Sequence, residues 1–319
     1  EHYATGNCLI HPHRRVRLFP RNGHLVALRV PCFSFKTYFY FMSFNVETPS
    51  AEAVDNSFWS ILKEAIWGSD RDFTQGSLGV AIFILAIPMI IEMFAESLFA
   101  LVDIYFVSHL GADAVAVVGI TESMMYIIYA VAIGISIGAT AVVARRIGEK
   151  DAEGASRAAA HSIYLGVAAS VVIGVFGIVF APELLALMGA SAEVIAQGTT
   201  FTRIMVGGNI TVMMVFLLNA IFRGAGDAAI AMRVLWFANL LNIILGPCFI
   251  FGVSFFPELG VTGAAVGTTI GRGMGAALAA YYLFFGNRRI SVRGKHWAFD
   301  SELLNRLVKV SAPAVFQFF

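Results

Sequence analysis

The chain has 319 residues, of which 58% are hydrophobic and only 13% charged, with a mean hydropathy of +0.76 and a formal net charge of +1. A soluble domain keeps about 25% charged residues, so the composition excludes an ordinary water-soluble globular protein. The near-zero net charge gives no reason to expect an acidic or nucleic-acid partner.

Residues 1–41 mix His, Arg, Pro and aromatics without a helical or strand period and read as a non-native or disordered extension, with Met42 as the initiator. His11-Pro12-His13 lacks a third ligand for a metal, and Cys8, Cys32 and Cys248 have neither metal-ligand spacing nor a disulfide framework. Residues 42–77 read as a cytoplasmic segment. In it Phe58, Trp59, Leu62, Ile66 and Trp67 recur near helical spacing beside Lys63, Glu64 and Asp70, the pattern of an amphipathic helix in the inner interface.

A bilayer crossing needs about 20 apolar residues in a helix. Such runs lie at Leu78–Val107, Val115–Val143, Ser162–Phe180, Thr199–Phe222, Ile230–Val253 and Val261–Phe285. The fold class is therefore all-α and integral to a membrane, a six-helix bundle over 78–285. A connecting loop at 286–302 and the start of a seventh membrane helix at 303–319 follow.

Lys and Arg are absent from the Ser108–Ala114, Ala181–Gly198 and Ser254–Gly260 connections. The other side carries Arg145, Arg146, Lys150 and Arg157, then Arg223 and Arg233, then Arg288, Arg289, Arg293 and Lys295. By the positive-inside rule the N-terminus and the final loop are cytoplasmic, as in a multi-pass protein of the plasma (inner) membrane. Around Pro313 the chain echoes its pattern around Pro88, with a polar residue four positions later in each case (Gln317, Glu92). This is expected if a second half restarts the first, as in carriers built from repeats.

Ionisable residues inside the spans point to function, because a charge there costs about 2.5–3.5 kcal/mol on insertion scales. At 100° per residue, Glu92, Glu96 and Asp103 share a stripe roughly 40° wide on span one, over a rise of about 16 Å. They form a candidate face for protons, Na⁺ or a cationic substrate, with Glu122 of span two as a further member. Arg203 is expected to snorkel to the outer interface, and Arg272, deep in span six, to pair with an acid that the sequence leaves open. Asn209, Asn219, Asn239 and Asn242 are expected helix-to-helix glue. Pro88 should bend span one, and Gly246-Pro247 should break or kink span five. Gly263, Gly267, Gly271 and Gly275 form a close-packing ridge on span six. No Walker loop, G-x-S-x-G elbow or H-E-x-x-H motif occurs, so neither an enzyme nor an ATP-driven pump is indicated and no cofactor is called for.

Several strings resemble the multidrug and toxic compound extrusion (MATE) transporters over residues 78–319, the N-terminal half of a two-lobed fold. They are Ile87-Pro88 with Val102-Asp103 and Phe106-Val107-Ser108-His109-Leu110-Gly111; Arg223-Gly224-Ala225-Gly226-Asp227; Phe249-Ile250-Phe251-Gly252; and Leu259-Gly260-Val261-Thr262-Gly263-Ala264-Ala265. The resemblance implies export of cationic or amphipathic compounds in exchange for H⁺ or Na⁺ by alternating access. It makes Asp103 the span-one aspartate of cation coupling, Pro88 the bend, and Asn242 a residue of the lobe cavity. Where the family's DinF-like branch often has a second aspartate in span five, this chain has Gly246, so Glu92 or Glu96 is expected to supply the missing carboxylate. The alternatives are a lipid-linked oligosaccharide or polysaccharide flippase of the same superfamily, and, from another class, an ion channel or a non-transporting scaffold.

Overall fold

A computed structural model describes residues 17–21, 24–28, 58–69, 77–253, 255–286 and 289–318. The expectations for Cys8, His11 to His13, Cys32, Met42, Asp70 and Arg288 lie outside the described residues. The chain divides into two compact units, Glu1–Val54 and Asp55–Phe319.

In the first unit, β1 (Arg17–Arg21) pairs antiparallel with β2 (His24–Leu28), Arg21 opposite His24 and Arg17 opposite Leu28. This differs from the expectation of no regular structure there. The sequence signal is Asn22-Gly23 between the paired ends, a dipeptide suited to two-residue hairpin turns.

The second unit is helical. Its elements are α1 (Phe58–Trp67), α2 (Leu78–Ser108), α3 (Ala112–Gly148), α4 (Ala152–Leu187), α5 (Ala192–Gly207), α6 (Asn209–Gly224), α7 (Ala228–Phe251), α8 (Val261–Phe285) and α9 (Ser301–Phe316). A 3-10 turn, Gly294–Trp297, precedes α9. Among the described residues, five segments are both long and apolar enough to cross a bilayer: α2, α3, α4, the α5–α6 pair and α7. The expected sixth span forms α8 with the expected bounds, and its 25 residues suffice in length. Its glycines and Arg272 dilute its hydropathy.

Helices are forced here because lipid offers backbone groups no partners. Helix α7 lies along α8, and α2 along α7; α6 is packed by α3, α4 and α8, and α9 rests on α3. Two apolar clusters fill the interior. One, around Phe222, Leu217, Leu283 and Ile290, gathers α3, α4, α6 and α8 near the arginine-rich end; the other, around Val107, Val117, Met125 and Phe201, lies toward the opposite end. Alanines 155, 158, 159 and 160 are fully buried, the small-residue contact that lets membrane helices approach closely.

One expectation about helix geometry is corrected. Span four is two helices, ending and restarting at Gly208, a break hidden by its continuous hydropathy. Asn209 Nδ2 seals it by donating to the Val206 carbonyl at 2.7 Å and to that of Ser170 at 3.1 Å. Helix α7 is continuous through Pro247 and α2 through Pro88, so any change of direction at these prolines is taken up without ending the helix. A non-helical residue does occur inside α4, at Phe180 (φ −104°, ψ 18°), two positions before Pro182. Pro182 has no N–H for the Ile178 carbonyl, and Arg203 Nε donates to that oxygen at 3.2 Å. The guanidinium expected only to snorkel therefore repairs a helix.

Helix α1 forms where the amphipathic segment was expected. Ala65 is buried, Trp59 and Trp67 are exposed, and the helix contacts α2 and α7.

Candidate functional site

The polar side chains of α2 meet the rest of the bundle in three tiers. The tier nearest the arginine-rich end holds Glu92. Its carboxylate is buried, and Oε2 accepts from Arg223 Nη1 at 2.8 Å. The other oxygen, Oε1, has no hydrogen-bond partner among the described residues. Arg223 reaches it from the last turn of α6, placed there by the Arg223–Asp227 string. Gly224 lets α6 approach α3, where a Cβ would stand 2.9 Å from the Thr140 carbonyl; Gly226 takes φ +87°; Asp227 occupies the N-cap position of α7. A side chain counted in the sequence as a topology-setting loop charge thus reaches into the bundle.

One helical turn along α2 lies the second tier. Glu96 Oε1 is 3.4 Å from Arg272 Nη2, and Asn239 Nδ2 donates to Glu96 Oε2 at 3.3 Å. Arg272 Nη1 donates to the Tyr129 hydroxyl at 3.2 Å, and its guanidinium carbon stands 5.9 Å from the centre of that ring. Four helices contribute: α2 the acid, α3 the tyrosine, α7 the amide and α8 the arginine. The expected pairing of Arg272 is seen, and its acid is Glu96.

Arg272 is carried to this depth by the glycine ridge of α8. A Cβ at Gly263 would collide with the Phe249 carbonyl, one at Gly271 with the Asn242 amide, and one at Gly275 would stand 2.7 Å from Ala238 Cβ. At Gly267 it would be 3.1 Å from the backbone of Gly246. Gly246, where a second aspartate was sought, is therefore a contact point for α8. Asn242 is buried against Gly271, and neither its Oδ1 nor its Nδ2 has a partner among the described residues.

The third tier lies two turns further along α2. Asp103 of α2 and Glu122 of α3 are partly buried, and the Arg272 charge acts on both. Neither forms a direct ion pair among the described residues. The structure joins Glu96 to Arg272, leaves Asp103 and Glu122 within the field of Arg272, sets Asn242 beside Gly271, and pairs Glu92 with Arg223. Sequence reading missed Arg223 and Tyr129. Arg223 was disguised by its position at a helix end, and a lone tyrosine in an apolar span carries no signal.

Among the described residues no group of three or more His, Cys, Asp or Glu could hold a metal ion. The charged contacts outside the bundle gather at the arginine-rich end. Glu153 meets Lys295 Nζ at 2.6 Å and His296 Nε2 at 3.2 Å, which ties the connector to α4. The Glu153 carboxyl is held below the usual carboxylate range, chiefly by the Lys295 hydrogen bond.

The family model MatE matches residues 88–248, just over half of the chain. The probable multidrug resistance protein NorM of Thermotoga maritima is 29% identical over 63% of this chain and 43% of its own length. The multidrug export protein MepA of Staphylococcus aureus is 26% identical over 76% of this chain and 53% of its own. A solved MOP superfamily transporter from Pyrococcus furiosus superposes with a TM-score of 0.71 at 31% identity, covering 77% of this chain and 54% of that one. The chain spans about half the length of the curated relatives it matches.

Proposed function

We propose, since this chain belongs to the MatE family, that it forms the first half of a secondary antiporter that exports cationic or amphipathic compounds in exchange for H⁺ or Na⁺. The relatives named above are a multidrug resistance protein and a multidrug export protein, which supports export of small molecules across a membrane and not an enzymatic reaction. The arginine and lysine distribution supports a cytoplasmic N-terminus, and the proposal places the antiporter in the plasma membrane.

The observation that carries the cation-coupling part is the third tier. Asp103 and Glu122, on the contacting helices α2 and α3, are both partly buried, and neither has a direct ion pair among the described residues. Two acids in one low-dielectric region favour uptake of a cation, and the nearest fixed positive charge, Arg272, is already shared with Glu96. A proton or Na⁺ would meet that need. Glu92 and Glu96 each already face an arginine, which favours Glu122 over either of them as the second carboxylate. Asn242 supplies an unsatisfied buried amide on the neighbouring helix. Neither Arg223 nor Arg272 lacks an acid, so a basic cavity for a phosphate-linked lipid is not favoured.

The test is binding of ethidium to the purified chain in detergent, with proton and Na⁺ competition. Asp103→Asn and Glu122→Gln should each remove the dependence on pH or Na⁺. Glu92→Gln should preserve it. Competition that survives both substitutions in the third tier would end the assignment. Vesicles with an imposed pH or Na⁺ gradient separate the readings further, because a channel passes ions without substrate exchange and a scaffold passes nothing.

A further inference from the structure

Arg272 stands in surroundings that suit an organic cation. Its guanidinium is almost wholly buried, with one nitrogen on the Tyr129 hydroxyl at 3.2 Å and the other 3.4 Å from Glu96 Oε1. The ring of Tyr129 lies 5.9 Å from the guanidinium carbon, and that ring packs against Tyr126 and Phe216 with centroids 6.2 and 5.9 Å away. Asn239 orients the Glu96 carboxylate from the far side at 3.3 Å. An aromatic face, a carboxylate and a supporting amide are the groups that recognise quaternary or delocalised cations.

The occupant is held loosely. A charge-assisted N–H···O bond is about 2.7–2.9 Å when tight, and the Arg272–Glu96 contact is 3.4 Å. The Glu96 side chain is 39% exposed whereas that of Arg272 is 10% exposed, so the acid can be reached while the guanidinium fills the inner space. The backbone beneath Arg272 is fixed by Gly271 and Gly275 against α7, which leaves the side chain as the movable part. Arg272 also acts electrostatically on Asp103 and Glu122 in the next tier, so a swing of its head group away from Glu96 has a destination.

We propose that the Arg272 guanidinium is a tethered occupant of an organic-cation site formed by Glu96, Tyr129 and Asn239, and that a cargo cation binds there by displacing it. The proposal rests on the export reading for the class of cargo and deepens it. The arm acts as a competitor present at fixed high local concentration. It weakens cargo binding by the fraction of time it leaves the site free, and on leaving Glu96 it carries positive charge toward Asp103 and Glu122.

The experiment measures tetraphenylphosphonium binding to the purified chain in detergent, for wild type, Arg272→Ala and Arg272→Lys, with methylguanidinium as a competitor. Arg272→Ala should bind tetraphenylphosphonium more tightly by roughly tenfold or more, about 1.4 kcal/mol of relieved competition. Methylguanidinium should compete in a saturable way in Arg272→Ala and far more weakly in wild type, and adding Glu96→Gln should erase the gain. Arg272→Lys, which keeps the charge and loses the planar fork, should fall between. It keeps the question answerable if the alanine variant does not fold. Unchanged or weaker binding in the folded variants, or no binding of either probe, overturns the tethered occupant. Tighter binding that ignores pH and Na⁺ would keep the occupant and overturn the antiport reading instead.

Discussion

Two arginine–glutamate pairs in this molecule have the same length and opposite settings. Arg223–Glu92 inside the bundle and Arg145–Glu149 at the end of α3 both measure 2.8 Å. The first pair has side chains 23% and 8% exposed, the second 74% and 41%. Solvent screens the outer pair, which also meets the demand of no helix but its own. The inner pair joins α6 to α2, and breaking it strands a charge where water does not follow. Distance alone says nothing about which contact holds the fold; the surroundings decide.

The largest effect that could break this contrast comes from the inner pair. Arg223→Met leaves Glu92 buried with neither oxygen satisfied, since Oε1 already lacks a partner among the described residues. It should cost about 3–5 kcal/mol, read as a lowered thermal midpoint in detergent. The double variant Arg223→Met with Glu92→Leu should recover most of that loss, because removing both charges also removes the desolvation penalty. A single variant no worse than Arg145→Ala would show that the inner pair is wetter than its burial implies.

A smaller loss should follow where the inner region depends on close backbone approach. Gly271→Ala drives a methyl into the Asn242 amide and pushes α8 away from α7. Overpacking of this kind costs about 1–3 kcal/mol, and the displaced Arg272 should slacken its hold on Tyr129, visible in tyrosine fluorescence. The matching change at Gly273, where an added Cβ would stand 3.4 Å from Thr211 Cγ2, should be nearly silent.

The outer region has one contact that behaves like an inner one. His161 is fully buried; its Nε2 accepts from the Asp300 backbone N–H at 2.9 Å, and its Nδ1 faces the Arg157 carbonyl at 2.8 Å. Both bonds form together only when Nδ1 carries the proton. Tyr164 adds a hydrogen bond from its hydroxyl to the Trp297 carbonyl at 2.9 Å. His161→Leu leaves the exposed Asp300 N–H to water in place of its partner, a cost of about 0.5–1.5 kcal/mol. Faster hydrogen exchange at Asp300, with little change at α6, would identify the loss as local.

The contrast between the two regions also explains what could be read from sequence. A bilayer demands apolar length and penalises charge, so the spans and the acids Glu92, Glu96 and Asp103 stood out at once. Their partners did not, because pairing Glu92 with Arg223 spans 131 positions and depends on how α6 meets α2. The positive-inside pattern even worked against that reading, since it assigned Arg223 a role in orientation. Helix ends were missed for a related reason. Span three was expected to begin at Ser162, yet α4 begins at Ala152 because Asp151 caps it, accepting from the Gly154 N–H, and helices outrun their apolar core. The Gly208 break carried a readable sign in Gly207-Gly208-Asn209, but hydropathy averages over it.

The smallest effect concerns the acids that water reaches. Lys295 and then His296 hold Glu153 below the usual carboxylate range, and the Leu303 and Glu302 backbone N–H groups do the same for Asp300 at the start of α9. A carboxyl whose folded value is depressed contributes stability above its unfolded value, about 4, and loses it as pH falls through the lower folded value. The connector should therefore be indifferent to pH between about 7 and 5 as far as these groups are concerned, and loosen below about 4. Limited proteolysis within residues 289–300 across that range would show it. Loosening that begins near neutrality would assign control of the connector to a group other than Glu153 or Asp300, and would remove the ground for treating this end of the molecule as electrostatically shallow.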